Sequence, residues 1–287
     1  DYFITLIYFL ISYYKVMNTN LTVLIVVYKT KKKLLQDFIN QIDENYQILI
    51  VDNSFSYNFE GIENLKNVSI HRSSRNLGNG DGINIGLNLI KTQYAIYFDI
   101  DTTFEKSFLR IIEDYVFKIK NFCILLPNIN SSNKSSDEFV EKYDGEGAIM
   151  LFNIKEVMDV GLFDISYFLY SEETDLFFRC KMKNRKVYLL TKLYAKHDGS
   201  TTIDGDNVDL KIIGLRNWHL MWSYFYFYRK HYSYSYAIKK NLTIFFSDLI
   251  HLFYFILKND KKNICIRYYR LSGLISSMLM SKSSKRP

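Results

Sequence analysis

The feature that most constrains this chain is a repeated alternation. Short, continuous β-branched apolar runs are separated by stretches with helical spacing. Leu21–Tyr28 (LTVLIVVY) and Gln47–Val51 (QILIV) have no polar face, so they read as strands covered on both sides. Between them, Leu34, Leu35, Phe38, Ile39 and Ile42 recur at helical spacing. Val68–His71 reads as a third strand, Asp81–Lys91 as a helix, Tyr94–Phe98 as a fourth strand, and Phe104–Lys120 as another helix. This alternation predicts βαβ units and a largely parallel sheet. In such sheets ligands bind at the carboxyl ends of the strands, and there the chain places Asp52-Asn53-Ser54, Arg75-Asn76 and Asp99-Ile100-Asp101.

Further along, the polar stretch 128–141 reads as a mobile loop over the site. Gly145–Phe152 and Lys186–Leu190 read as strands, with a helix over Glu172–Asn184 between them. The 48% hydrophobic and 23% charged residues of the 287-residue chain allow a sizeable core and exclude wholesale disorder. Three widely spaced cysteines, Cys123, Cys180 and Cys265, give neither a disulfide framework nor a zinc pattern. They suit a reducing compartment.

Charge divides the chain. From Asp209 onward there are 14 Lys/Arg against 3 Asp/Glu, whereas the first 208 residues hold 23 against 27. The same C-terminal quarter carries two aromatic runs, Arg216–Tyr236 and Leu242–Leu257. Trp, Tyr and basic side chains together suit a helix lying in a membrane interface, and equally the core of a helical subdomain. The second run is interrupted by Asp248 and His251 and, at 16 residues, is short for a membrane span. A single-stranded nucleic-acid surface would need the same residue types, but no nucleic-acid-binding motif accompanies them. At the other end, Tyr2–Tyr14 is apolar yet too short to cross a bilayer, and Met17 directly precedes the first strand pattern. Residues 1–16 are read as a peripheral element or as lying upstream of the natural start. The domain reading is therefore 1–16, an α/β domain over 17–208, and a helical extension over 209–287.

Three constellations carry chemistry. Asp99 and Asp101, one residue apart at a strand end, would converge on a hard divalent cation holding phosphate oxygens. The alternative is that they are turn or cap residues ahead of Phe104. Arg75-Asn76-Leu77-Gly78-Asn79-Gly80-Asp81-Gly82 opens a helix, offering close backbone approach, an anion-favouring N-terminus and a phosphate-pairing arginine. Its spacing is not that of the dinucleotide fingerprint. Tyr170-Ser171-Glu172-Glu173-Thr174-Asp175 places three carboxylates in one first helical turn beside the apolar 163–170 run. That arrangement favours the helix dipole and suits a general base against a hydrophobic wall.

In order, VVYK, VDNS, RNLGNGDGINIGL, FDID, GLFDISYFLYSEETDLFFR and KHDGST resemble glycosyltransferase family 2, most of all its rhamnosyltransferase-like members of bacterial surface polysaccharide synthesis. The resemblance spans roughly residues 20–202. It implies a GT-A fold: a Rossmann-like mixed sheet flanked by helices, here with the helical aromatic and basic extension. It also implies an inverting mechanism and a nucleoside-diphosphate sugar donor bound through Mn²⁺ or Mg²⁺. By this resemblance Asp52 contacts the nucleotide base or ribose, and Arg75, Asn76 and Gly78 line the donor. Asp99 and Asp101 form the DxD pair, Asp101 ahead of Asp99 as direct metal ligand, and His197 reaches the metal or the diphosphate. The family's usual Glu-Asp-x-Asp-Leu is Glu172-Glu173-Thr174-Asp175-Leu176 here. Glu173 thus takes the base position one methylene longer, and the choice between Glu173 and Glu172 stays open. The expected partners are a nucleotide-sugar donor, a glycan or lipid-linked acceptor and a membrane surface, with no nucleic acid. The expected location is cytoplasmic, peripheral on the inner face of the cell membrane. A non-catalytic sugar-nucleotide-binding or scaffold protein of the same fold is the alternative, because the base position departs from the usual residue.

Overall fold

The computed structural model describes residues 20–54, 57–130, 135–199 and 209–286. The segment 1–16, residues 131–134 of the expected loop and the end of the KHDGST motif lie outside them. The described chain packs into two compact units. One comprises the described residues within 1–76, 82–162 and 177–202; the other those within 77–81, 163–176 and 203–287.

The first unit is built on a mixed sheet. In chain order its elements are β1 (Leu21–Val27), α1 (Lys32–Ile39), β2 (Gln47–Asp52), β3 (Val68–Arg72), α2 (Asn79–Leu89, from Gly82 onward), β4 (Tyr94–Phe98) and β5 (Thr102–Thr103). There follow α3 (Phe108–Lys118), β6 (Ile124–Ile129), β7 (Phe139–Glu141), β8 (Ile149–Asn153), α4 (Ile154–Val160), α5 (Glu172–Met182, from Phe177 onward) and β9 (Val187–His197). The strand order is β3-β2-β1-β4-β8-β6-β9-β5, with β7 paired to β9.

β1 to β4 run parallel, and Ile25 faces Ile50 on one side and Phe98 on the other. Because helices cover both faces there, β1 needs no polar stripe, and Val23, Leu24, Ile25 and Val27 are fully buried. The largely parallel expectation holds for that half only. β8 enters antiparallel between β4 and β6. β9 then pairs parallel with β6 and antiparallel with β5 and β7. The register of β6 shifts between Pro127 and Asn128, where a residue without an N–H is tolerated. The stretch read as a loop over 128–141 thus contains the end of β6 and all of β7.

In the second unit, three long helices follow one another: α6 (Leu210–His231), α7 (Tyr234–Leu257) and α8 (Lys261–Met278). Each begins on a side chain that accepts from a backbone N–H of its own first turn: Asp209 from Lys211, Ser233 from Tyr236 and Asp260 from Asn263. The first aromatic run is partly core here, while Tyr232, Tyr234 and Tyr236 at its end are exposed. Trp218, Trp222 and Phe225 of α6 are at most 2% exposed. Gly273 of α8 lets that helix close onto the Trp218 backbone, which a Cβ would overlap.

The second aromatic run behaves differently. α7 is 24 residues long, more than the apolar run suggested, and is long and apolar enough to cross a membrane by length and composition. Ala237, Asn241 and Asp248 are its buried residues. The interrupting Asp248 is an internal anchor, since its carboxylate accepts from Arg267 and from Arg270 (2.8 Å), both on α8. Leu242, Phe246, Ile250, Phe253 and Leu257 form an exposed stripe at helical spacing, from 48% to 86% exposed.

Candidate active site

Asp99, Asp101 and His197 each direct one ligand atom into a common point, with those atoms all within 4.8 Å of one another. The strand pleat does not bring the two carboxylates together, because β4 ends at Phe98. Residues 99–102 instead form a tight turn. The Thr102 N–H and hydroxyl donate to the Asp99 carbonyl at 3.1 and 2.7 Å, and the Asp99 N–H donates to the Ala148 carbonyl at 2.7 Å. The following β5 then pairs Thr102 with His197. This pairing sets the imidazole Nε2 3.2 Å from Asp101 Oδ1 and 3.6 Å from Asp99 Oδ2.

Supporting groups orient the cluster. The His197 N–H donates to Asn130 Oδ1 (3.2 Å), and Asn130 Nδ2 donates back to the His197 carbonyl (3.3 Å). The Tyr97 hydroxyl donates to Asp99 Oδ1, and Glu146 lies 4.0 Å from His197 Nδ1. The hydrogen bond to Asp101, with the charges of Asp99, Asp101 and Glu146, raises the His197 pKa against the opposing effect of burial. Such a negative pocket favours any cation placed at that point. Two carboxylate oxygens and an imidazole nitrogen form a donor set that accepts a divalent first-row ion. Asn130, Tyr97 and Glu146 were not foreseen, since each comes from a different segment and none belongs to a recognisable spacing.

The other expected donor-binding residues occupy different surroundings. Asp52 is fully buried, and its carboxylate organises the turn after β2. It accepts from the Ser54 N–H (2.8 Å) and hydroxyl (2.5 Å), the Tyr57 N–H (3.2 Å) and Arg72 (3.3 Å). This is Asx-turn chemistry. Arg75 is exposed and Asn76 half-buried on the coil after β3. Neither Asp52 nor Arg75 belongs to the Asp99–Asp101–His197 cluster.

Two glycines of the stretch 75–82 lie in close packing. Gly78 has φ +92°, and a Cβ there would overlap the Phe168 carbonyl. A Cβ on Gly80 would lie 3.1 Å from Phe163 Cβ and 3.4 Å from Glu172 Cβ. The first turn of α2 therefore lies directly on the segment that carries the acidic pair.

That segment leads into α5 through two consecutive residues of left-handed backbone, Tyr170 (φ 68°) and Ser171 (φ 65°). Glu172 is 6% exposed and Glu173 half-buried. Desolvation raises the Glu173 pKa, outweighing a backbone hydrogen bond that lowers it. A carboxylate made more basic at a helix N-terminus has the properties of a proton acceptor.

None of the curated proteins matches the chain by sequence. Among solved structures, GalNAc-T7 with UDP, GalNAc and Mn²⁺ superposes with a TM-score of 0.55 at 16% identity, over 72% of this chain. This chain spans only 49% of GalNAc-T7. Residues 1-349 of S. aureus TarS give a TM-score of 0.52 at 12% identity, over 92% of both chains. The mannosyltransferase PcManGT from Pyrobaculum calidifontis, in complex with GDP-Man and Mn²⁺, gives 0.58 at 10% identity, over 92% of this chain and 88% of its own. These likenesses establish the GT-A fold. The sequence profile of Glycosyl transferase family 2 matches residues 22–188, more than half of the chain, and the chain belongs to that family.

Proposed function

We propose that the protein is an inverting, metal-dependent hexosyltransferase. It would move rhamnose or another hexose from a nucleoside-diphosphate sugar to a growing bacterial surface glycan or a lipid-linked acceptor. The observation that carries this reading is the convergence of Asp99, Asp101 and His197 in a chain of family 2. Those three residues would hold Mn²⁺ or Mg²⁺, which when bound neutralises charge on the departing diphosphate. The imidazole ligand favours Mn²⁺ of the two. The neighbours crystallised with UDP or GDP-Man and Mn²⁺ are consistent with such a donor.

In the reaction, the acceptor oxygen forms a bond to the anomeric carbon as the bond from that carbon to the diphosphate oxygen breaks. The leaving nucleoside diphosphate takes the bonding pair, and Glu173 takes the acceptor's hydroxyl proton. A single displacement inverts configuration. The desolvation that raises the Glu173 pKa suits its carboxylate to this task. Asp52 would fix the turn beside the nucleotide, while Arg75, Asn76 and the Gly78 backbone would contact the donor.

The exposed apolar stripe of α7 supports docking on the cytoplasmic face of a membrane, where a lipid-linked acceptor would be presented. Lys239, Lys240, Lys258, Lys261 and Lys262 flank it, all exposed.

The test is a thermal-shift panel of UDP, dTDP and GDP, each with and without Mn²⁺. Stabilisation by one diphosphate only in the presence of metal is expected, and Asp101→Ala should abolish it. A shift independent of both metal and Asp101 would overturn the reading.

A further inference from the structure

The segment that carries the acidic pair is held by one face of α6. Arg216 Nε donates to the Tyr170 hydroxyl (2.9 Å), and the Ser223 hydroxyl to the Leu169 carbonyl (2.9 Å). The Tyr226 hydroxyl donates to Asp164 Oδ2 (3.1 Å). At the C-terminal end of the helix, Lys230 Nζ lies 2.7 Å from Asp164 Oδ2 and 2.6 Å from Asp175 Oδ1, and His231 Nε2 lies 2.7 Å from the same Asp175 oxygen. Asp175 is fully buried. A carboxylate so placed requires compensating donors, and these two adjacent residues supply the short contacts, beside the Tyr167 hydroxyl at 3.5 Å from the same oxygen. The Lys230 ammonium therefore ties residue 164 to residue 175, with Glu172 and Glu173 on the stretch between. Within that stretch Tyr170 and Ser171 hold left-handed backbone, which persists only where its surroundings enforce it.

We propose that Lys230 and His231 are positioning residues. By gripping Asp175 in the first turn of α5 they fix where the Glu173 carboxylate points, so the C-terminal helix sets the geometry of proton removal. The proposal rests on the reading of Glu173 as base. Asp175 sits two residues beyond Glu173 on the same turn, so loss of its grip turns that whole helical start. Neither Lys230 nor His231 acts on the reacting atoms. Their loss misplaces a carboxylate and leaves donor affinity alone.

The experiment uses the full chain, with dTDP-rhamnose, UDP-glucose and GDP-mannose as donors in Mn²⁺, and follows kcat, donor KM and Tm. His231→Gln, which keeps a donor group, and Lys230→Met should lower kcat by about 10- to 100-fold, the size of effect that small misplacements produce. Donor KM should stay within about twofold, and Lys230→Arg should restore kcat. Wild-type kcat in both His231→Gln and Lys230→Met overturns the proposal. So does a parallel loss of kcat, donor affinity and Tm that Lys230→Arg fails to rescue, since that pattern marks a role in folding alone. Glu173→Gln separates the two readings. If it is inactive while the Lys230 and His231 variants behave as wild type, the positioning role falls and the base remains. If Glu173→Gln is active, the base assignment itself falls and takes the positioning role with it.

Discussion

The imidazole Nε2 of His197 lies 3.2 Å from Oδ1 of Asp101, and backbone pairing puts it there: β5 aligns Thr102 with His197, and the Asp198 N–H donates to the Asp101 carbonyl at 3.2 Å. The cluster is thus as rigid as the sheet edge that bears it. Ala at Asp101 or His197 should remove most Mn²⁺ affinity while changing Tm little, as neither side chain packs in the core. Asn130→Ala, which frees only the backbone clamp on His197, should weaken Mn²⁺ binding by about 10- to 100-fold. Mn²⁺ titration followed by electron paramagnetic resonance reads all three; unchanged affinity in Asp101→Ala would contradict the ligand assignment.

Acid should destabilise the helical unit through His219. His219 is 1% exposed; its Nε2–H donates to the Lys285 carbonyl (2.9 Å) and its Nδ1 accepts from the Ser283 hydroxyl (3.1 Å), the arrangement of a neutral ring. Burial lowers its pKa from 6.5 to about 4. Between those values the unfolded chain binds a proton that the folded one refuses, so stability falls as pH drops through that window, by roughly 3 kcal/mol in all. Urea denaturation followed by tryptophan fluorescence at pH 7 and pH 4.5 should show the loss, and His219→Gln should flatten it.

Asp248 is an internal counter-ion, and its removal should be costly. Its side chain is 3% exposed and those of Arg267 and Arg270 are 27% and 19%. Asp248→Ala leaves two largely buried guanidiniums without their carboxylate, a loss of about 3–5 kcal/mol. The triple change Asp248→Leu, Arg267→Met, Arg270→Leu should recover most of it in chemical denaturation, since the penalty belongs to unpaired charge.

Gly86 lies inside α2, where alanine alone would add about 1 kcal/mol of helix propensity. A Cβ there would sit 2.7 Å from Leu24 Cδ2 and 3.0 Å from its Cγ, and Leu24 is fully buried on β1. Overpacking of about 1–3 kcal/mol should win, so Gly86→Ala should lower Tm. A raised Tm would show that Leu24 has room to move.

Sedimentation with liposomes tests the α7 stripe. Vesicles containing anionic lipid should retain the wild-type chain, and Phe246→Ser, Ile250→Ser and Phe253→Ser together should release it. Binding should weaken as salt rises, because the flanking lysines contribute through screened charge. Retention unaffected by the triple change would move the membrane contact elsewhere.

How much of this was legible in the sequence differs by element. β1, β2 and β4 were readable because strands buried on both faces leave uninterrupted apolar runs. β5 and β7 are two and three residues long, too short for any period to register. The antiparallel entry of β8 left no trace in its composition, since Ile149–Phe152 are as buried as a parallel strand. Asp99, Asp101 and His197 were readable by type and order, yet their convergence comes from a turn and a strand pairing that spacing does not encode. Lys230 and His231 lie inside the first aromatic run, where nothing in the spacing singles them out. Their partner Asp175 lies far away in sequence, and it read only as one more acid in a helical first turn.

The position of β9 bears on how the chain assembles during synthesis. It is the shared neighbour of β5, β6 and β7, and among the described residues it is the last strand to be made. The parallel sheet of β1 to β4 can form on a ribosome early, whereas the edge that carries His197 must wait until residue 197 has emerged. At about 5–20 residues per second, the nascent chain spends several seconds with β6 open along one edge.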